Sequence, residues 1–310
     1  MKAGIVYHPD YLKHDTGDHV ENPRRLTAIY EALRKSGFLE KIIEIKPRLA
    51  DDEELQLVHP ADYIKALEAA CKQGGGWLDS DTYASPLSAT VARLAAGGAL
   101  KAVESVMDEG YSWVFGLLRP PGHHALSSKA MGFCLYNNIA IAARFALKKY
   151  KLKKVLIVDW DVHHGNGTQD IFYNDPSVFY FSVHQSPLYP GTGKIDENGS
   201  GAGKNFNLNV PLPPGSGDGE YLKVFNEILY PAAVKYEPEL VLISAGFDGH
   251  IKDPLAQMRI TTEGFSAIAG VAKKIADDTP ARGRMVALLE GGYNLQALPE
   301  SVVAVMQKWL

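Results

Sequence analysis

The densest group of residues suited to chemistry is Asp159, Asp161 and His163. Residues two apart on an extended chain face the same side, so Asp161 and His163 can reach one point together. Carboxylates and imidazoles bind zinc, and a catalytic zinc takes three protein ligands and leaves one position for water. The spacing does not identify the third ligand, for which Asp248 is the best candidate. An isolated Asp-x-His is more often a buried ion pair.

Two further groups could take part in proton transfer or polarise a carbonyl. His123 and His124 follow a rigid Pro-Pro-Gly turn, and histidine gains and loses protons near neutral pH. Tyr293 stands between Gly292 and Asn294, where its hydroxyl could point at a metal. The alternatives are a solvated pair of histidines and a core tyrosine.

Five apolar runs deliver chemically useful side chains, because the groups named above follow four of them and His184 follows the run 178–183. Most runs are unbroken, which is typical of strands buried on both faces of a parallel sheet. They cover residues 113–118, 155–158, 178–183, 240–243 and 285–289, and helical patterns cover 88–108, 137–149, 219–236 and 262–276. The alternation predicts one three-layer, doubly wound α/β domain over residues 1–310, with a mostly parallel sheet and helices on both faces. Ligands bind at the carboxyl ends of such strands, so we expect the site there.

The segment 184–221 departs from this alternation and is rich in Gly, Pro, Asn and Ser, and a short apolar piece around residues 206–210 interrupts it. Long loops in compact domains often carry function, and we expect this one to help form the site. A surface insertion is the alternative.

Composition excludes several classes of function. The net charge is −4, which gives no electrostatic footprint for nucleic acid or an anionic membrane. Cys71 and Cys134 are far apart and predict neither a disulfide framework nor a cysteine-based metal site. Polar residues near the start argue against a signal peptide, and no apolar run is long enough for a membrane helix. We therefore expect a cytoplasmic protein.

Four sequence blocks resemble the signatures of the histone deacetylase superfamily, which has an arginase-like α/β fold and includes acetylpolyamine amidohydrolases and acetoin-utilisation proteins. The blocks are Arg119-Pro120-Pro121-Gly122-His123-His124-Ala125, Asp159-Trp160-Asp161-Val162-His163-His164-Gly165-Asn166-Gly167-Thr168, Ser244-Ala245-Gly246-Phe247-Asp248 and Glu290-Gly291-Gly292-Tyr293-Asn294. The likeness begins at His19 and covers nearly the whole chain. Gly246-Phe247-Asp248 and Asn166 resemble class II enzymes more than class I.

The resemblance implies a zinc-dependent deacetylase and assigns roles to these residues. Zinc would be held by Asp161, His163 and Asp248, and Tyr293 would hydrogen-bond the substrate carbonyl. His123 would pair with Asp159, and His124 would stand beside Asn166, where class I relatives have an aspartate. The family also carries a structural potassium ion, which would fall on Asp159, Asp161, His163, Ser182 and Val183.

The same resemblance implies an acetylated lysine of a protein or peptide, or a small acetylated amine, as the substrate. Gly132, Phe133 and Tyr189 would line a tunnel for the lysine stem, although phenylalanine is usual at position 189. Asp81 would accept a hydrogen bond from a substrate amide. Polyamine-selective relatives can carry glutamate where this chain has Leu255, which favours acetyl-lysine. The rival hypotheses are an acetylpolyamine deacetylase, a non-catalytic acyl-lysine binder and, more distantly, an arginase-like enzyme with two manganese ions.

Overall fold

The fold is built on a parallel sheet whose central strands are buried on both faces. A computed structural model describes residues 2–310 of the chain, and within them the strands are β1 (Ala3–Val6), β2 (Ile43–Ile45), β3 (Gly76–Trp77), β4 (Tyr83–Ala84), β5 (Trp113–Gly116), β6 (Val155–Asp159), β7 (Val178–Gln185), β8 (Asn207–Leu212), β9 (Leu240–Ala245) and β10 (Met285–Leu289). Eight of the strands in this part of the chain pair in the order β2-β1-β5-β10-β9-β6-β7-β8, and every pairing is parallel. The predicted doubly wound α/β sheet is confirmed.

Helices cover both faces of this sheet. Those within residues 2–310 are α1 (Arg24–Lys35), α2 (Asp52–Leu55), α3 (Ala61–Lys72), α4 (Ser88–Asp108), α5 (Asn138–Tyr150), α6 (Asn166–Phe172), α7 (Asp218–Val224), α8 (Tyr230–Tyr236), α9 (Thr262–Asp278) and α10 (Ala297–Trp309). α4 packs on α5, and α10 packs on both α1 and α9. None of the helices in the described part of the chain is long and apolar enough to cross a bilayer.

The prediction of one helix over 219–236 is wrong in one respect, because this segment forms two α-helices joined by a wider turn. α7 and α8 are separated by a π-helical turn over Phe225–Leu229. Pro231 has no backbone N–H and its ring crowds the carbonyl four residues earlier, so the regular α-helical bond cannot form there. The wide turn accommodates this loss.

β3 and β4 form a small antiparallel hairpin outside the main sheet. The predicted loop 184–221 is also interrupted, since β8 lies within it and pairs with β7 at the sheet edge. Because the main strands are parallel, their carboxyl ends lie along one edge, and the candidate residues follow those ends.

Candidate active site and metal centre

Asp161, His163 and Asp248 come together at the carboxyl edge of the sheet. One ligand atom from each lies within 4.8 Å of the other two. The Nδ1 atom of His163 is 3.2 Å from Asp161 Oδ1 and 3.0 Å from Asp248 Oδ2. Both carboxylates are buried, and the His163 side chain is 12% exposed. The structure thus places the third predicted ligand beside the first two.

Backbone groups hold the two carboxylates in place. Asp161 accepts N–H bonds from Gly291 at 2.8 Å and from His163 at 2.9 Å, and Asp248 accepts one from Val162 at 2.9 Å. A Cβ atom added to Gly291 would lie 2.1 Å from Asp248 Oδ2, and one added to Gly246 would lie 2.1 Å from Asp161 Oδ2. Only glycine therefore fits at either position, and the backbone itself forms the wall around the carboxylates.

The charges of this cluster favour a bound cation. Burial, reinforced by the negative charge of Asp161, raises the pKa of Asp248. Among residues 2–310, neither carboxylate forms an ion pair with a lysine or arginine; their charged partners are His123 and His163. Two buried carboxylates with one imidazole are a donor set that suits Zn²⁺. The residues present therefore fit the metal that the resemblance implies.

His123 is held by Asp159, as predicted. Its Nδ1 lies 3.1 Å from Asp159 Oδ2, which also accepts the hydroxyl of Tyr180 at 3.0 Å. Burial disfavours the imidazolium, but the charges of Asp159 and Asp161 outweigh it and raise the pKa of His123 to about 10. Tyr180 was not predicted, because a tyrosine inside a buried apolar strand gives no signal of a polar role.

His124 has a neutral partner. Its Nδ1 lies 2.8 Å from Asn166 Oδ1, and the amide nitrogen of Asn166 points to the sulfur of Met131 at 3.4 Å. This arrangement makes the amide oxygen the acceptor and places the proton of a neutral His124 on Nδ1. Burial and the neighbouring rings of His123 and His163 hold the pKa of His124 well below its usual value. The other ring nitrogen is then free to accept a proton.

A cavity of about 210 Å³ opens above these groups. All the predicted tunnel and rim residues line it, namely Asp81, Gly132, Phe133, Tyr189 and Leu255. His123, His124, His163 and Tyr293 line it as well. The Phe133 and Tyr293 rings meet edge to face at 5.9 Å, and the Tyr189 and His124 rings at 5.2 Å. Gly132 has a φ of 56°, and a Cβ there would lie 2.4 Å from the His124 ring.

Tyr293 is positioned by two residues that sequence reasoning missed. Its N–H donates to Asp253 Oδ2 at 2.7 Å, and the guanidinium of Arg25 lies 4.9 Å from the centre of its ring. Burial, with a contribution from Asp248, raises the pKa of Asp253 to about 7. Burial likewise raises the pKa of Tyr293, so its hydroxyl keeps its proton and can donate a hydrogen bond.

A second buried cluster of charges supports the same edge of the sheet. Glu21 accepts from Arg119 Nε at 2.6 Å and Nη2 at 2.8 Å, and from Arg25 Nη1 at 2.9 Å. Arg25 Nε also donates to the carbonyl of Gly292 at 2.6 Å, beside Tyr293. All three side chains are at most 1% exposed. No spacing rule relates position 21 to 119, so this cluster was not predicted.

The predicted potassium ligands lie on neighbouring strands. Asp159 and Ser182 are paired in register between β6 and β7, and Ser182 Oγ lies 2.9 Å from His184 Nδ1. Val183 follows in the same buried strand. The potassium ion itself stays a prediction.

Comparison with known proteins agrees with this fold and geometry. The profile of the histone deacetylase domain matches residues 19–309. The chain therefore belongs to the histone deacetylase family.

Its relatives come from archaea, plants and animals. The chain is 46% identical over 305 residues to a protein named probable deacetylase of Methanothermobacter thermautotrophicus, covering 98% of this chain and 89% of that one. It is 39% identical to human polyamine deacetylase HDAC10, covering all of this chain and 48% of that one. The crystal structure of the HDA15 HD domain superposes with a TM-score of 0.93 at 39% identity, covering 99% of this chain and 89% of that one.

Proposed function

We propose that this protein hydrolyses the acetamide of an acetylated lysine side chain, with a zinc ion held by Asp161, His163 and Asp248. One observation carries the proposal: the three ligand atoms meet within 4.8 Å at a cavity that also presents two histidines and a tyrosine. Bound there, zinc would act as a Lewis acid and lower the pKa of water.

The two histidines of the site have different protonation states and therefore different roles. Asp159 orients His123, and Asn166 fixes the proton of His124 on Nδ1, so that its other nitrogen can take a proton from the attacking water. His123 keeps its proton near neutral pH because its pKa is raised to about 10, so His124 is the better base. The leaving amine needs a proton, and His124 can return the one that it took from the water.

Tyr293 stabilises the charge that develops on the carbonyl oxygen. Its raised pKa keeps the hydroxyl protonated, so it donates a hydrogen bond where negative charge accumulates. Arg25 over the ring and Asp253 at the backbone fix its orientation in advance.

The walls of the cavity suit an uncharged aliphatic stem. Phe133 and Tyr189 supply aromatic faces, and Leu255 supplies an apolar edge. An acetylpolyamine carries a second ammonium, which a leucine cannot attract. Acetyl-lysine is therefore the favoured substrate, and an acetylpolyamine, the substrate class named in one relative, is the second candidate.

Turnover measurements test the proposal. The comparison is kcat/KM on an acetyl-lysine peptide and on N-acetylputrescine, each with zinc added and after chelation. The proposal expects zinc-dependent turnover that is faster on the peptide. Peptide binding without turnover would show an acyl-lysine binder, and faster turnover of N-acetylputrescine would show a polyamine deacetylase.

The cytoplasmic location also stays a prediction, which cell fractionation tests.

A further inference from the structure

A second cavity of about 310 Å³ lies beside the tunnel and has no role in the chemistry proposed above. Its aromatic wall is made by Trp77 and Tyr83, which pair across the β3–β4 hairpin with ring centres 5.3 Å apart. The remaining lining residues are Asp15, Thr16, Gly17, Ser85 and Pro86. Trp77 is 62% exposed, so much of its ring is open to a ligand.

Asp15 gives this cavity a fixed negative charge. Its Oδ1 accepts the N–H of Gly17 at 3.0 Å, and its own N–H bonds Ser85 Oγ at 3.3 Å. Within residues 2–310, Asp15 forms no ion pair with a lysine or arginine, and no residue lining either cavity carries such a side chain. A carboxylate beside exposed aromatic faces attracts a cation, by charge and by the ring quadrupole.

The second cavity is one ring away from the tunnel. The centre of the His19 ring lies 4.5 Å from that of Phe133 in the tunnel wall and 6.4 Å from that of Trp77. On an extended peptide, side chains two residues apart point the same way and are separated by about 7 Å. A peptide whose lysine enters the tunnel can therefore bring a neighbouring side chain to Trp77.

The hairpin that carries Trp77 is also fixed to the tunnel wall. Asp79 Oδ1 accepts the N–H groups of Asp81 and Thr82, both at 3.0 Å, which closes the hairpin loop. The buried hydroxyl of Thr82 accepts the N–H of Phe133 at 3.0 Å. The two cavities are thus held in a fixed relation before any substrate arrives.

We propose that the Trp77–Asp15 cavity is a specificity subsite that binds a lysine or arginine side chain near the acetyl-lysine of a peptide substrate. This inference rests on the proposed function and narrows its substrate class to peptides with a second positive charge close to the modified lysine. Trp77 contributes cation–π contact and Asp15 contributes charge.

Peptides that differ at one position test the subsite. Three acetyl-lysine peptides of equal length carry arginine, glutamine or glutamate two residues from the acetyl-lysine, on either side. We expect the arginine peptide to exceed the glutamine peptide about five- to tenfold in kcat/KM, mainly through KM. The ratio should fall as ionic strength rises, because exposed charges are screened by salt.

Two variants and a matched control locate the effect. Asp15→Asn keeps the oxygen that accepts the Gly17 N–H and removes the charge, and Trp77→Leu removes the ring but stays apolar. Each should bring the arginine-to-glutamine ratio close to one. Asp18→Asn removes an exposed charge three residues from Asp15, outside the cavity lining, and should keep the ratio. Thermal unfolding checks that the variants are folded.

The outcomes separate the two proposals. Equal rates on the arginine and glutamine peptides, or ratios unaffected by Asp15→Asn and Trp77→Leu, would overturn the subsite while leaving the deacetylase in place. If Asp18→Asn lowered the arginine-to-glutamine ratio equally, a general electrostatic field rather than this subsite would explain the preference. If Asp15→Asn and Trp77→Leu lowered turnover of acetylated polyamines only, the cavity would belong to that substrate class instead. No turnover of any acetyl-lysine peptide would remove the proposed function itself.

Discussion

Two buried clusters of charge stand at the same edge of the sheet, and they differ in how their carboxylates are neutralised. Glu21 is paired with two arginines of the chain, Arg25 and Arg119. Asp161 and Asp248 have only histidines, His123 and His163, as charged partners within the described residues 2–310. A buried carboxylate needs compensating charge, which permanently charged arginines supply to the first cluster, whereas the second cluster depends on histidines that must be protonated to supply it. This difference makes the second cluster the better candidate for binding a cation from solution.

The sharpest way to break this comparison is to remove the metal. Chelation should lower turnover on the order of a thousandfold or more, since a Lewis acid supplies several kcal/mol to the reaction. It should also lower the melting temperature, because an ion that binds only the folded state stabilises it. Rate assays and thermal melts before and after adding back zinc measure both effects. Full turnover in protein shown to be metal-free would contradict the assignment.

Breaking the cluster around Glu21 should instead destabilise the fold. Glu21→Gln leaves two buried guanidinium groups without their carboxylate, and we expect it to cost about 3–5 kcal/mol in the free energy of unfolding. Urea denaturation measures the change. The matched control is Glu31→Gln, which removes an exposed glutamate 3.6 Å from Lys35 and should cost about 1 kcal/mol or less. Equal effects in the two variants would show that the buried cluster adds nothing special.

Tyr293→Phe sharpens the comparison because it removes a hydroxyl from the site and leaves both clusters of charge intact. The variant should lose on the order of a hundredfold in turnover, because one donor to the developing oxyanion is removed. Its KM and melting temperature should change little. Tyr189→Phe removes a hydroxyl from the same cavity and should affect turnover far less. A Tyr293→Phe enzyme with full turnover would refute the donor role.

The smallest expected effect concerns the neutral partner of His124. Asn166→Asp places a carboxylate beside Nδ1, which favours the imidazolium and raises the pKa of His124. A general base must be unprotonated, so the acidic limb of the kcat/KM profile should move to higher pH, by roughly one to two units. Asn205→Asp adds the same charge at an exposed position and should leave the profile in place. An unmoved acidic limb in an active Asn166→Asp enzyme would argue against His124 as the base.

The metal cluster could be predicted from the sequence because its members follow strand ends. Unbroken apolar runs indicate parallel strands, and the parallel arrangement puts everything after those runs at one edge. The Asp-x-His spacing then joins Asp161 to His163, and Asp248 follows as the first carboxylate after another run. This reasoning needs no long-range contact to be known in advance.

The supporting cluster could not be predicted, for the opposite reason. Glu21 and Arg119 are 98 positions apart, and Arg25 reaches a carbonyl 267 positions away. Neither contact follows from a local pattern. Three outer strands were not predicted for another reason: β8 alternates polar and apolar residues and includes a proline, and β1 and β2 have only four and three residues. β8 and β2 are the edge strands of the sheet, and edge strands tolerate such patterns, which weakens their signal in the sequence.

The bond from Phe133 to Thr82 has a consequence for any attempt to retune this enzyme. The Thr82 hydroxyl joins the outer hairpin to Phe133 in the aromatic wall of the tunnel. Library screens that vary the hairpin to recruit new peptides will therefore also shift the wall that would contact the substrate stem. Peptide preference and tunnel shape will change together unless that hydrogen bond is replaced first.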